Sequence, residues 1–258
     1  MCRSRIYACL TVVALILPPA VSAAPARRAS AGPPEAPAAS DACGGGVVTH
    51  GSRRRPDIAL TFDACPTSHV PPFSADIVAS LLVEHVPATF FISGRWAEAH
   101  PGELGQLAAV PFFEIAMHGY KHPRLEGAPS ATILSEIEGG RQALTRLGVP
   151  PQPLFRPPYG DQPATLVATA RHAGVTPITW DVAPGDPSPQ ETAADIERDV
   201  LRSVKNGSII ILHVNGRGVG TAAALPRLLP RLRERGFRFV TVSELLRECA
   251  PPAETAAP

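Results

Sequence analysis

Two histidines, His118 and His122, lie four residues apart in the segment EIAMHGYKHPRL. The apolar residues before His118 predict a strand, so the pair falls on a short loop or turn after it. Two imidazoles at this spacing can bind one metal ion, and zinc is the metal that we expect, since hydrolytic zinc takes imidazole nitrogens and keeps a position for water. Because His-x-x-x-His is common, two unrelated histidines are the alternative.

Three more polar residues each end an apolar run of their own. They are Asp63 in IALTFDAC, Arg156 in FRPPYG and His213 in IIILHVNG. In α/β proteins the carboxyl ends of parallel strands deliver reactive groups to one rim. The four segments together therefore predict a single active site.

In this order, the four segments resemble the polysaccharide deacetylase family of carbohydrate esterases. The resemblance covers roughly residues 56–248, including VPATFFISGRWAEAHP and LPRLLPRLRERGFRFVTVSELL. It implies a single α/β domain, a distorted (β/α)7 barrel, and a metal-dependent hydrolase that removes acetyl groups from N-acetylated sugars of a peptidoglycan- or chitin-like glycan. An O-acetyl glycan esterase and a degenerate, non-catalytic glycan-binding domain remain open as alternatives.

The resemblance also implies roles for single residues. Asp63 is the general base and Arg156 its partner, because a nearby cation keeps a carboxylate charged. His213 is the general acid that protonates the leaving amine, and Asp186 in WDVAPGDPS orients it. The alternative for Asp63 is an Asp that only caps the next helix, and the alternative for Asp186 is an ordinary turn Asp before Pro187.

For substrate binding, the resemblance implies that the backbone N–H of Tyr159 helps to hold the developing oxyanion. Leu212 is expected to contact the acetyl methyl group, and Trp180 to line the acetyl pocket in part. His118 and His122 are the implied metal ligands.

Two positions depart from the family pattern. Ala64 stands where the family has a second Asp that binds the metal, and Pro187 stands where it usually has Trp. Alanine cannot coordinate, so the third ligand is open between Asp63, water and, less favoured, the Cys65 thiolate.

The ends of the chain predict export. Residues 1–23 have Arg3 and Arg5, a short apolar core and the small-residue site VSA, which is typical of a secretory signal peptide. Residues 24–55, rich in Ala, Pro and Gly, are predicted to be a flexible leader, residues 56–248 the domain, and residues 249–258 a tail. We expect a periplasmic or secreted protein, and a Cys43–Cys249 disulfide because chain termini often lie close together.

Apolar runs alternate with helical stretches across the domain, which favours parallel βαβ units. Seven runs indicate an incomplete barrel, although the pattern alone also permits a flat doubly wound sheet. Strands are predicted at 57–62, 88–92, 112–117, 153–155, 176–180, 207–212 and 237–241, and helices at 74–84, 95–109, 131–147, 162–173, 190–204, 222–235 and 242–248.

Composition narrows the partners. The net charge is +1 with no basic block, so nucleic acid is not expected as a partner. The N-terminal apolar run is shorter than the roughly 18–20 residues of a membrane span, so no stable span is expected. A carbohydrate substrate is the expected partner, and the sequence indicates no protein partner. The segment NGRGVG at 215–220 lacks the GxGxxG order of a dinucleotide site and is interpreted as a mobile substrate loop.

Overall fold

The computed structural model of the protein describes residues 46–68 and 72–247. Within these residues, seven β-strands alternate with eight α-helices. The strands are β1 (Asp57–Ala64), β2 (Ala88–Ile92), β3 (Phe113–Met117), β4 (Leu154–Phe155), β5 (Thr176–Pro177), β6 (Ile209–His213) and β7 (Arg238–Phe239). The helices are α1 (Ala75–Val83), α2 (Gly94–Ala99), α3 (Pro101–Ala108), α4 (Ser130–Arg146), α5 (Leu166–His172), α6 (Ala193–Ser203), α7 (Thr221–Glu234) and α8 (Val242–Arg247).

The strands form one curled parallel sheet. Their order is β5-β4-β3-β2-β1-β6, and β7 pairs in parallel with the start of β1. Beyond the end of β5, Val182 forms a parallel bridge with Ile210 of β6, so the two ends of the sheet approach each other. This curl confirms the predicted distorted (β/α)7 barrel, and the flat doubly wound sheet is excluded.

Alternation along β1 divides the core into two layers. Ile58, Leu60 and Phe62 are fully buried in the larger apolar cluster, which includes the helix residues that cover the sheet. Ala59 belongs instead to a smaller cluster with Phe91 of β2, inside the curl of the sheet. Since side chains alternate between faces, Asp63 at the end of β1 also faces the interior.

The folded part of the chain begins earlier than the predicted boundary. Residues 24–55 are predicted to be a flexible leader, but Val48 is 5 % exposed and forms a parallel bridge with Ile178. The backbone N–H of Gly51 donates to the carbonyl of Gly207 at 2.7 Å. The prediction is therefore wrong for residues 46–55, because an apolar side chain and backbone hydrogen bonds attach this segment to the barrel.

The helix predicted over residues 95–109 is divided into α2 and α3. His100 lies between them with φ −133°, and Pro101 is the first residue of α3. Proline has no backbone N–H to continue a helix but is well suited to the first turn of a new one. The division thus follows from one residue.

Some predictions concern residues outside the described ranges. These are the signal peptide at 1–23, the Cys43–Cys249 disulfide and the tail at 249–258. Across residues 46–68 and 72–247, no helix combines the length and the apolar character needed to cross a bilayer.

Candidate active site

A cavity of about 230 Å³ lies where the carboxyl ends of β1, β3 and β6 meet. Asp63 is the next-to-last residue of β1, His118 follows β3, and His213 is the last residue of β6. A larger cavity of about 570 Å³, around Glu114, contains none of the residues predicted to be functional. The smaller cavity is lined by Asp63, Cys65, His118, His122, Tyr159, Trp180, Ala183, Gly185, Asp186, Pro187, Ile211, His213 and Arg217.

Asp63 is held in a buried ion pair with Arg156. Arg156 Nη1 donates to Asp63 Oδ1 at 2.6 Å, and the guanidinium is fully buried against the ring of Phe91, 3.9 Å from its centroid. Burial alone raises the pKa of Asp63, but the opposing contributions, led by the charge of the Arg156 guanidinium, outweigh it, and the pKa lies below the ordinary value of 3.8. Asp63 is therefore an ionised carboxylate, and its Oδ2 remains on the side of the histidines.

The two histidines of the opening motif converge through their Nε2 atoms, which lie 3.1 Å apart. His118 Nδ1 is 2.9 Å from the carbonyl oxygen of Arg156, and because a carbonyl can only accept, Nδ1 carries the proton and Nε2 presents its lone pair. Burial lowers the pKa of both rings, that of His122 to about 3 with a further contribution from His118. Both are neutral imidazoles, the form that binds metals.

Glu136 of α4 holds the loop that carries this pair, and the sequence analysis did not identify it. Its Oε2 accepts hydrogen bonds from the backbone N–H groups of Tyr120 (2.8 Å), Lys121 (2.8 Å) and His122 (3.2 Å). His122 has a positive φ of 66°, which is uncommon for a residue with a side chain. The carboxylate thus stabilises an unusual backbone that directs His122 towards His118.

His213 is paired with Asp186 on the other wall of the cavity. Asp186 Oδ1 lies 2.9 Å from His213 Nδ1, while Oδ2 accepts from the His213 backbone N–H at 2.7 Å and from Thr221 Oγ1 at 2.9 Å. Burial lowers the pKa of His213, but the charge of Asp186 and its hydrogen bond outweigh burial and raise it above 6.5. His213 therefore keeps a proton on its remaining nitrogen, Nε2, to a higher pH than a free imidazole.

Tyr159 and Trp180 both line the cavity. Tyr159 has φ 59° and is 48 % exposed, and its ring packs against His122 with a centroid distance of 4.6 Å. Its predicted oxyanion contact stays a prediction. Gly160 has no side chain where a Cβ would lie 2.7 Å from the Trp180 ring, so this glycine allows the indole to approach the loop.

The prediction for Leu212 is wrong. Leu212 is fully buried in the larger apolar cluster and does not line the cavity, whereas its neighbour Ile211 does. Because strand residues alternate between faces, Ile211 shares the interior face with His213 and Leu212 faces the helices. Counting by two from His213 identifies the correct residue.

The same alternation places Ala64 and Cys65 on opposite sides of the sheet. Ala64 is fully buried in the larger apolar cluster, and Cys65 lines the cavity. Asn215 Nδ2 donates to Cys65 Sγ at 3.2 Å. Burial and the charge of Asp63 raise the pKa of this thiol, which disfavours the thiolate that binds metals.

A divalent metal fits the two histidines. The two Nε2 atoms lie 3.1 Å apart, and that of His118 carries a lone pair. Two such nitrogen atoms repel each other unless a proton or a cation lies between them. The nearest carboxylate oxygen is Asp63 Oδ2, 3.4 Å from His118 Nε2. Over the described ranges, no group of three or more His, Cys, Asp or Glu side chains has the arrangement of a complete metal site. The donor set is two imidazoles with one carboxylate beside them.

Comparison with known proteins gives a family match and several related sequences and structures. The family model described as polysaccharide deacetylase matches residues 50–178. A chitooligosaccharide deacetylase of Sinorhizobium fredii is 32% identical over 196 residues, covering 70% of this chain and 88% of the relative. A peptidoglycan-N-acetylglucosamine deacetylase of Bacillus cereus is 32% identical over 195 residues, covering 74% and 88%. A crystal structure of a peptidoglycan N-acetylglucosamine deacetylase superposes with a TM-score of 0.71 at 30% identity, covering 77% of this chain and 92% of that one.

Proposed function

The chain belongs to the polysaccharide deacetylase family, and from that premise we propose that it hydrolyses the acetamide of N-acetylated sugars in an N-acetylglucosamine-containing glycan. Two of the relatives compared above are named for chitooligosaccharide and for peptidoglycan N-acetylglucosamine. The substrate class is carried over from these names. The chemistry rests on the cavity of this chain.

One observation carries the proposal. Two ion pairs contribute to the same cavity and have opposite effects on protonation. Arg156 keeps the Asp63 carboxylate ionised, whereas Asp186 favours the protonated imidazole of His213. Hydrolysis of an amide requires a charged base and a protonated acid at the same pH, and the two pairs provide both.

The proton transfers follow from the hydrogen bonds. Asp63 Oδ1 is bound to Arg156, so Oδ2 accepts the proton of the water that attacks the acetamide carbonyl. His213 Nδ1 is bound to Asp186, so Nε2 donates its proton to the sugar nitrogen as the carbon–nitrogen bond breaks. Acetate and a free amine are the products, and the Tyr159 backbone N–H is proposed to hold the oxyanion that forms between the two steps.

We propose that His118 and His122 hold a divalent metal, with zinc expected. Such an ion supplies Lewis acidity to polarise the carbonyl. Metal content of the purified protein tests this. The double variant His118→Ala, His122→Ala should lose it, and retention of one zinc per chain by that variant would refute the assignment. His172→Ala, at the C-terminal end of α5, is the matched control.

Acetate release tests the function. Wild type is incubated with N-acetylchitooligosaccharides, with peptidoglycan fragments and with an O-acetylated xylan. Release from the N-acetylated glycans is expected, and Asp63→Asn should reduce it by about 10²–10⁴-fold because Asn cannot accept the proton. Release from the O-acetylated glycan alone would identify an esterase. Tight binding without release from any of them would identify a glycan-binding domain.

We also propose that the protein is exported, to the periplasm or beyond the cell. The support is the pattern of residues 1–23 in the sequence. Mass spectrometry of the N-terminus of protein from its native host tests it. A mature chain that starts after Ala23 is expected, and an intact N-terminus in the cytoplasmic fraction would contradict it.

A further inference from the structure

Arg217 enters the cavity, and neither the sequence analysis nor the proposed mechanism gives it a role. It lies in the 215–220 loop after β6 and lines the cavity with His213 and Cys65. Its Nε is buried and has no hydrogen-bond partner among the described residues. The charge of Arg217 acts to lower the pKa of the Cys65 thiol, but burial and Asp63 keep that pKa raised, so the thiol is no anionic partner for the guanidinium.

The other charged groups of the cavity are already paired. Asp63 is bound to Arg156 at 2.6 Å, and Asp186 to His213 at 2.9 Å. Within residues 46–68 and 72–247, no carboxylate lies within ion-pair distance of Arg217. Among these residues, the guanidinium of Arg217 is therefore without a carboxylate partner at the wall of the cavity, because Asp63 and Asp186 each form an ion pair with another residue. An unpaired charge that is partly removed from water is costly unless a ligand compensates it.

The backbone beside Arg217 is fixed onto the catalytic pair. A Cβ at Gly218 would lie 2.4 Å from the carbonyl oxygen of His213 and 2.9 Å from Asp186 Oδ2, so only glycine allows this contact. The N–H of Val219 donates to the carbonyl of Asp186 at 3.3 Å. The backbone at the base of the Arg217 side chain is thus packed against the Asp186–His213 pair.

We propose that Arg217 binds a carboxylate at the active site. A guanidinium offers a planar fork of N–H donors that matches the two oxygens of a carboxylate. Two sources share this chemistry: a carboxyl group on the glycan, near the acetamide that is cleaved, and the acetate that the reaction releases. The first makes the enzyme selective for acidic N-acetylated sugars over neutral ones, and the second makes Arg217 a product-binding residue. Both rest on the proposed deacetylase function.

A matched pair of substrates separates the sources. A peptidoglycan disaccharide that bears the carboxylate of N-acetylmuramic acid is compared with its methyl ester, in wild type, Arg217→Gln and Arg217→Lys. If the glycan supplies the carboxylate, wild type should prefer the acid by about ten- to hundredfold in kcat/KM, and Arg217→Gln should reduce this ratio to near one. Lysine should restore part of it, since it keeps the charge but not the fork.

Inhibition by acetate is the second arm. If the product is the ligand, the inhibition constant for acetate should rise about tenfold or more in Arg217→Gln while the acid-to-ester ratio stays as in wild type. Arg124→Gln is the control, because Arg124 lies 4.0 Å above the Tyr159 ring but is already paired with Asp161. If Arg217→Gln changes neither the ratio nor acetate inhibition, or if Arg124→Gln has the same effect, the proposal is overturned.

Calorimetry measures the binding of N-acetylmuramic acid and of acetate directly. This measurement tests Arg217 even if the protein has no deacetylase activity. If wild type releases no acetate from any substrate, the proposed function fails. Weaker binding of either anion by Arg217→Gln than by wild type would then still support Arg217 as a carboxylate-binding residue. Equal binding would refute it.

Discussion

Glu136 provides a prediction whose size can be worked out from three hydrogen bonds. Its Oε2 accepts from the N–H groups of Tyr120, Lys121 and His122, and the residue is only 5 % exposed. A buried donor left without a partner costs about 1–3 kcal/mol of stability. Because Glu136→Ala removes the acceptor of three donors, the loss in the free energy of unfolding has an upper limit of about 3–9 kcal/mol. The hydrogen bonds are only partly buried and water can replace some of them, so we expect the free energy of unfolding to fall by about 3 kcal/mol.

The conservative variant should behave differently. Glu136→Gln keeps one acceptor oxygen but loses the charge, and a hydrogen bond to a charged group is stronger than a neutral one by about 1 kcal/mol. We expect a loss of about 1–2 kcal/mol. Glu138→Gln is the matched control on the same helix, since its pair with Arg141 is on the surface and should be worth under about 1 kcal/mol.

Urea unfolding measures the stability, and zinc titration against a chelator measures what a purely structural role would not change. Because Glu136 fixes the backbone of His122, Glu136→Ala should also weaken metal binding in the fraction that remains folded. Unchanged unfolding and metal affinity in Glu136→Ala would refute the positioning role. If Glu136→Ala loses stability but keeps its metal affinity, Glu136 stabilises the fold and does not position His122 for the metal.

Two further predictions concern the other wall of the cavity. Since His213 acts when protonated and Asp186 raises its pKa above 6.5, the alkaline limb of the kcat/KM profile should lie above that value, and Asp186→Asn should move this limb to lower pH. An unmoved alkaline limb would mean that another group sets it. Leu212→Ala should cost about 2–5 kcal/mol of stability with KM retained, whereas Ile211→Val should cost about 0.5–1.5 kcal/mol and change KM, and the reverse pattern would contradict the assignment of faces.

The sequence pattern predicted a parallel α/β sheet, and the family resemblance selected the distorted barrel over a flat doubly wound sheet. Apolar runs that end in polar residues predicted the rim, so Asp63 and His213 could be placed at strand ends from the chain alone, and their registry in adjacent strands agrees. The contact implied for Leu212 comes from the resemblance, whereas the two-residue period of the strand, counted from His213, places Ile211 on the cavity. Pro101 likewise marked the break between α2 and α3.

Other features depend on contacts that sequence patterns do not contain. Glu136 lies in a 17-residue helix two positions from the surface residue Glu138, and nothing in the local sequence separates them. Only the path of the loop beneath α4 gives Glu136 three backbone donors. Arg217 is similar, since an arginine between two glycines indicates a surface turn until the pairing of every other charge in the cavity is known.

The alternation of β1 gives a physical meaning to the departure at Ala64. A side chain at this position packs among the apolar residues that face the helices, while Asp63 and Cys65 face the cavity. Since the thiol of Cys65 resists ionisation, Asp63 is the anion left beside the histidines. Its two oxygens are divided: Oδ1 is neutralised by Arg156 at 2.6 Å, and Oδ2 lies 3.4 Å from His118. Without that division, one carboxylate could not remain ionised inside the protein and still accept a proton in the cavity.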